Sequence, residues 1–484
     1  MNNRYFNFLI IFFLFVFYNF SSAQTFDGHW SADYVTNDDA ANGTGNRTLA
    51  VATLEENSFV ALVTRSANKT FYIVGYRNAD STHGRLGNYG YGSGVDSFQT
   101  RWISGFSQTD LFQSKGIAAK DGIIYVTNNG PDHFILTFEL GTDSIVTHDA
   151  RLSTGDQNIW AIDIDNNGKV YVTREGDSTH AGSILIYNNL TDEPGWTSGN
   201  NIGTPLQTIQ LPDPGSARGI AVNEDGSVIY VSNYLTKKIY CFTGDPINGY
   251  TLYNGFNFNV DTTFTASDST TFSVGPFGLA YLRGNNLLFV AHDADFHTGT
   301  GYEYGRIYIA DPNTGSVLDT IDVAGWNILI NGSTTNHNTG IASGFASVYS
   351  VDFDINKNVY SQSYYGWTVD KWRYSGTLPT VELTITAVEK VANSLPANFS
   401  LTQNYPNPFN PTTTIKFTVP EKSELSISVF DITGKLVSKL IDNAEFSAGE
   451  YKVTFDASNL ASGTYIYRMR TKSQNISKKM ILIK

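Results

Sequence analysis

Gly219-Ile-Ala-Val-Asn-Glu-Asp-Gly-Ser-Val-Ile-Tyr-Val231 is two short apolar runs on either side of a polar turn. The alternation suits half-buried strands, and Asn, Asp and Gly tolerate the backbone that a tight reversal needs. The stretch reads as a β-hairpin. It recurs as Gly116-Ile-Ala-Ala-Lys-Asp-Gly-Ile-Ile-Tyr-Val126, Trp160-Ala-Ile-Asp-Ile-Asp-Asn-Asn-Gly-Lys-Val-Tyr-Val172, Gly278-Leu-Ala-Tyr-Leu-Arg-Gly-Asn-Asn-Leu-Leu-Phe-Val290 and Tyr349-Ser-Val-Asp-Phe-Asp-Ile-Asn-Lys-Asn-Val-Tyr-Ser361. The anchor aromatics Tyr125, Tyr171, Tyr230, Phe289 and Tyr360 lie 46, 59, 59 and 71 residues apart. A third strand follows several hairpins, as in Ser183 to Tyr187, Lys238 to Phe242, Gly305 to Ile309 and Asp370 to Tyr374. Leu206 to Leu211 and Val317 to Ile321 alternate as outer strands should. A repeat of this length with three or four strands per unit predicts radial blades, since a lone four-stranded sheet cannot cover its own faces. Residues 48 to 77 supply a degenerate further blade, giving six with seven open.

The whole composition agrees with an all-β chain. There are 43 Gly, 28 Tyr and 31 Phe among 484 residues, against one Cys and 16% charged residues. Aromatic and β-branched residues suit pleated surfaces. The length exceeds one compact core, so at least two domains are expected. Cys241 has no partner for a disulfide and reads as a small buried hydrophobe. Arg4, an apolar run from Phe6 to Phe20 and small residues before Gln24 form a secretory signal over residues 1–23, cleaved between Ala23 and Gln24. That run is shorter than the roughly 20 residues needed to span a bilayer. Residues 394–484 carry eleven Lys and Arg against seven Asp and Glu, and the rest of the chain 21 against 38. So acidic a body repels polyanions, which argues against nucleic acid as a partner.

The hairpin repeats resemble NHL-type six-bladed β-propellers and their strictosidine synthase and gluconolactonase-like relatives, over most of residues 24–376. The resemblance implies that loops after the second strand of each blade open on one face. It places Asn128, Asn129, Asp132 and His133, then Arg174, Glu175, Asp177 and His180, then Asn233, then His292 and Asp293 on that face. Convergent imidazoles and carboxylates can hold a divalent metal or move protons, and His292, Asp293, Asp295 and His297 are the densest cluster. Asp163-Ile-Asp-Asn-Asn-Gly168 opens like a calcium-binding loop, but its closing acid would fall on Arg174, and its alternation makes it a hairpin turn. Gluconolactonase-like enzymes place metal-binding Asn or Asp near the start of inner strands. Here Lys115, Ile159, Arg218, Phe277 and Val348 precede the five hairpins. Lys115 and Arg218 instead suit an anionic sugar or a carboxylate. No nucleophile elbow, phosphate loop or zinc-protease motif occurs.

Residues 377–393 read as a linker. Beyond it stands Phe399-Ser-Leu-Thr-Gln-Asn-Tyr-Pro-Asn-Pro-Phe-Asn-Pro411, followed by alternating runs at 414–417, 425–437, 449–455, 462–468 and 478–484. These resemble the type A sorting domain of the type IX secretion system, a small Ig-like β-sandwich over 394–484. The segment Asn404, Tyr405, Pro406, Asn407, Pro408 and Phe409 carries the resemblance. It implies export across the outer membrane by the type IX machinery, release to the medium or retention at the cell surface, and coupling to lipopolysaccharide. The sequence thus predicts a secreted or surface propeller that binds or scaffolds a glycan, peptide or protein. The alternative is a metal-assisted hydrolase or lyase acting on an extracellular carbohydrate or lactone.

Overall fold

The structure is a computed structural model. It describes residues 26–35, 46–65, 70–77, 79, 96–99, 111–130, 133–140, 145–155, 157–190, 196, 202–247, 249–265, 271–294, 305–326, 348–363, 368–385, 388–392, 396–446, 448–457 and 460–484. The expected cleavage pair Ala23 and Gln24 lies outside these residues. Among the described residues, no helix is long and apolar enough to cross a membrane.

Among the described residues, six antiparallel sheets form the body. The first blade is Asn46–Glu55, Ser58–Arg65, Thr70–Arg77 and Asp96–Gln99, and the second runs from Ile117–Lys120 through Ile123–Asn128 and Phe134–Leu140 to Ile145–Ser153. The third is Ile159–Ile164, Val170–Arg174, Ser183–Tyr187 and Gln207–Gln210, and the fourth Ala217–Val222, Val228–Asn233, Lys238–Asp245 and Gly249–Leu252. The fifth, Thr271–Leu282, Leu287–Ala294, Arg306–Ala310 and Val317–Ile321, gains an extra edge strand at Thr263–Thr265. Val348–Phe353, Val359–Ser363 and Thr368–Tyr374 make three strands of the sixth, and Trp30–Val35 supplies its fourth. The ring is therefore closed by strands from its two ends.

The number of blades follows from what each buries. Separate apolar clusters lie between the first and second blades around Leu62 and Ile124, the second and third around Tyr125 and Val172, and the third and fourth around Ile186 and Ile220. Further clusters join the fourth and fifth blades around Tyr230 and Leu288, the fifth and sixth around Phe289 and Trp372, and the sixth and first around Tyr360 and Phe59. These six interfaces lead back to the starting blade, so among the described residues the ring has six blades and no gap for a seventh.

The recurring residues of the hairpins have distinct tasks. Asp165 Oδ1 accepts the Asn167 and Lys169 N–H groups at 2.8 and 2.9 Å, and Tyr171 Oη donates to its other oxygen at 3.2 Å. Asp354 does the same for Asn356 and Asn358, with Tyr360 Oη at 3.2 Å. An anchor tyrosine thus fastens the turn that begins its own strand. The repeated glycine serves the neighbouring blade. A Cβ on Gly116, Gly219 or Gly278 would stand 2.3, 2.2 and 2.2 Å from the carbonyl oxygens of Trp160, Phe277 and Tyr349 in the following blade. Hydroxyls on the second strands bridge the same gap: Thr127 Oγ1 donates to Trp160 O at 2.7 Å and Ser232 Oγ to Phe277 O at 2.5 Å. Gln362 Nε2 donates to Thr48 O and so ties the last blade to the first.

The tail is a sandwich of two four-stranded sheets. One orders Val388–Ala392, Gly449–Asp456, Thr412–Val419 and Ser400–Leu401, and the other Leu436–Phe446, Ser423–Asp431, Gly463–Thr471 and Asn475–Leu482. Period-two alternation turns Ile415, Phe417, Leu425, Ile427, Tyr467 and Met469 into one core. Val388–Ala392 pairs with Gly449–Asp456, so the sandwich takes in residues upstream of Ser394. The preceding stretch is also more than a spacer. Asn285 Nδ2 donates to Leu378 O and Pro379 O at 3.1 and 3.0 Å, and Asn313 Oδ1 accepts the Thr384 N–H at 2.7 Å. Residues 378–385 are strapped along the fifth blade, with Ile385 buried against the core it shares with the fourth.

Candidate ligand site at the mouth of the central channel

The innermost strands of all six blades line a central cavity of about 570 Å³. Pairing slips by one position near the start of five of these strands, between Thr48 and Ala50, Ile159 and Ile162, Ala217 and Gly219, Pro276 and Leu279, and Val348 and Ser350. A bulge turns a side chain away from the regular alternation. Trp160, Arg218, Phe277 and Tyr349 fall within these slips and line the cavity together with Lys115.

Their rings form one continuous wall. Phe277 stacks on Tyr349 at 4.1 Å between centroids, meets Tyr234 edge-on at 5.4 Å and Trp160 at 6.0 Å. Two cations lie on the indole: the Arg218 guanidinium carbon is 3.3 Å and Lys115 Nζ 4.6 Å from the Trp160 ring centroid. Arg218 Nη2 is 3.0 Å from Glu175 Oε1, which also accepts from Ser216 Oγ at 3.1 Å. One carboxylate therefore faces two cations. Arg218 Nε and Nη1 are buried with no hydrogen-bond partner among the described residues. Burial holds Arg218 below the usual arginine range, and burial with the Arg218 charge does the same for Lys115. Two cations beside one carboxylate leave an excess of positive charge that favours an incoming anion.

Charged groups line the opposite end of the channel. Arg283, from the fifth blade, reaches Asp163 in the third at 3.2 Å, while Asp163 Oδ2 accepts the Val222 N–H at 2.8 Å. Asp352 Oδ2 accepts from Thr53 N at 2.7 Å and Thr53 Oγ1 at 3.0 Å. Burial pushes the Asp352 carboxyl up to about 6 against the pull of those donors, and the Asp163 charge adds to the rise. The folded protein therefore holds this proton more tightly than the unfolded chain does. The resulting stability is fully present below a pH of about 4 and is lost as the pH rises through about 6. Asp352→Asn is expected to flatten this part of the stability profile, read as urea midpoints between about pH 4 and pH 7. An unchanged slope in the variant would assign it elsewhere.

The residues singled out in the sequence divide. Glu175 belongs to the mouth. Asn128 is buried, its Oδ1 accepting from Phe112 N at 2.6 Å and Ser114 Oγ at 2.8 Å, and Asn233 Nδ2 donates to Pro214 O at 3.2 Å. Both end the second strand of a blade and brace the chain that leads into it. Arg174 Nη2 donates to Thr154 O at 3.4 Å, and His133 Nδ1 is 3.5 Å from Asn129 Oδ1. Asp177 and His180 pair at 3.0 Å on the surface. His292 sits inside Leu287–Ala294 rather than in a loop, fully buried and edge-on to Tyr308 at 5.2 Å. Burial, with Lys237 and Arg306 nearby, pushes its pKa down to about 3, so the ring stays neutral. Asp293 continues the same strand, while Asp132, Asp295 and His297 lie outside the described residues. Among the described residues, no three His, Cys, Asp or Glu side chains gather as a metal site would require. Sequence reasoning misses Trp160 and Tyr349 as site residues, although they occupy the glycine position of the repeat.

In the tail, Asn404 donates from its backbone to Tyr467 Oη at 2.8 Å and from Nδ2 to Thr413 Oγ1 at 2.9 Å and Pro406 O at 3.0 Å. Asn407 Oδ1 accepts the Ile481 N–H at 2.9 Å, and the Phe409 N–H donates to Ile481 O at 3.0 Å. The motif thereby locks the opening of the sandwich to its last strand. The Tyr405–Pro406 and Asn407–Pro408 bonds are cis, and Tyr405 is 81% exposed.

Residues 403–484 match the family model described as secretion system C-terminal sorting domain. No curated protein matches the chain. Among solved structures, a gluconolactonase from Xanthomonas campestris is 12% identical, with 71% of this chain and 94% of that one covered at a TM-score of 0.37. A calcium-binding protein, regucalcin, from Agrobacterium tumefaciens is 10% identical over 70% and 94%, also at 0.37. An auxiliary nutrient binding protein from Bacteroides thetaiotaomicron is 14% identical over 72% and 70%, at 0.38. It is the strand order and the closed ring of cores, rather than these values, that make the body a propeller. The chain is a six-bladed β-propeller carrying a type IX secretion sorting domain at its C-terminal end, and it is exported to the cell surface or the medium.

Proposed function

We propose that the exported body is a ligand-binding propeller whose ligand enters the mouth of the central channel. The excess of positive charge at the Trp160 ring, where Arg218 and Lys115 stand against the single Glu175 carboxylate, carries this reading. An aromatic wall with a few placed polar groups is the usual make-up of a small-molecule site, and the cavity volume is in the usual range. Retention at the surface through lipopolysaccharide, implied by the sorting-domain resemblance, belongs to the same proposal. A metal-assisted hydrolase or lyase has less support, because His292 is enclosed in its strand and the described residues gather no metal-ligand set.

The test is a thermal-shift screen of the full chain against acidic and neutral oligosaccharides and peptides, repeated with Trp160→Ala. A ligand that stabilises the wild type should bind the variant at least about tenfold more weakly, since truncating a central aromatic commonly costs that much. Equal binding by the variant would move the site away from the mouth. Turnover of lactone, ester or polysaccharide substrates would replace the binding reading with an enzymatic one.

A further inference from the structure

We infer that the mouth selects a monoanionic saccharide bearing a carboxylate, a uronate, with the carboxylate on Arg218 and Lys115 and the sugar ring against the aromatic wall. This deepens the channel-mouth reading and rests on it. Three observations lead to the class. First, the cations are placed at one spot: both lie on Trp160, and Glu175 pairs with them through Arg218. Two positive charges therefore stand against one negative charge. Several charged donors thus converge where one carboxylate could accept them.

Second, the surface beside these donors is aromatic. Phe277 and Tyr349 stack at 4.1 Å, and Trp160 meets Phe277 at 6.0 Å. The C–H face of a pyranose packs on such rings, while its hydroxyls remain free for water or the polar strand ends. A bare inorganic anion would leave the wall uncovered, and a neutral sugar would leave the cations unused. Third, residues outside the tail carry 38 acidic against 21 basic side chains. This background penalises each added negative charge, so a single charge close to the two cations is favoured over a phosphate dianion.

Calorimetric titration of the full chain with D-galacturonate, against galactose, galactotriose and galactose 6-sulfate, tests the inference. Uronates should bind, weakening as salt rises, and galactose and galactotriose should bind at least about tenfold more weakly. Arg218→Gln and Lys115→Met should each reduce uronate affinity by about tenfold or more, and circular dichroism must show each variant folded. Lys115 provides the second variant because its side chain is less enclosed than that of Arg218. Equal affinity for neutral and acidic sugars, unaffected by either substitution but lost in Trp160→Ala, would overturn the uronate and leave the mouth as the site. Preference for galactose 6-sulfate would overturn the carboxylate. Absence of uronate binding at about 10 mM would overturn the inference, while a ligand from the wider screen that requires Trp160 would still uphold the site.

Discussion

Trp372→Ala is expected to lower the urea midpoint of the propeller by roughly 1–2 M. Trp372 is 1% exposed, and its Nε1 donates to Ser361 Oγ at 2.8 Å. It lies in the core shared by the fifth and sixth blades, edge-on to Trp326 at 5.5 Å. Its backbone stands between Val359 and Ala32, and Ala32 belongs to the strand that closes the ring. Removing the indole leaves a large cavity under that closure, and such truncations cost about 3–5 kcal/mol. Limited proteolysis should then cut within residues 26–35 sooner than in the wild type. An unchanged midpoint together with unchanged cleavage would show that the core collapses around the deletion.

Asn404→Ala is expected to destabilise the sorting sandwich by about 1–3 kcal/mol and to lower the exported fraction with it. Asn404 is 2% exposed, and its side chain holds Pro406 and Thr413 together. Its loss leaves Thr413 in a buried site without that donor. Tyr405→Ala, at a side chain that is 81% exposed, should change stability by no more than about 0.5 kcal/mol. Denaturation of the two variants, with the protein partitioned between cells and medium, separates a folding role from a surface role. Normal export of a clearly destabilised Asn404→Ala chain would break the link between sandwich stability and export.

The hairpins are legible in the sequence because each writes its strands and turn within a short continuous stretch, and the tail because its motif is unbroken. Ring closure is not legible. Trp30–Val35 pairs with Thr368–Tyr374, and no local pattern announces a partner so distant. The strap at 378–385 reads as a linker because its anchors are side chains of another blade, Asn285 and Asn313. Asn128, Asn233 and His292 look like loop residues because alternation does not show where a strand stops. Lys115 and Arg218 are visible as cations at strand starts, but the wall they share with Trp160, Phe277 and Tyr349 exists only once bulges on separate blades are brought together.

The sixth blade is composite, and this sets an order of assembly. Gly28 N donates to Tyr374 Oη across 346 positions of sequence. Contacts this distant carry the greatest loop-closure cost, so this seam is expected to form last. While the chain is being made, its first strand has no partner until the end of the body has been added. The sorting sandwich comes only after that point, so an unfinished body carries no complete export address.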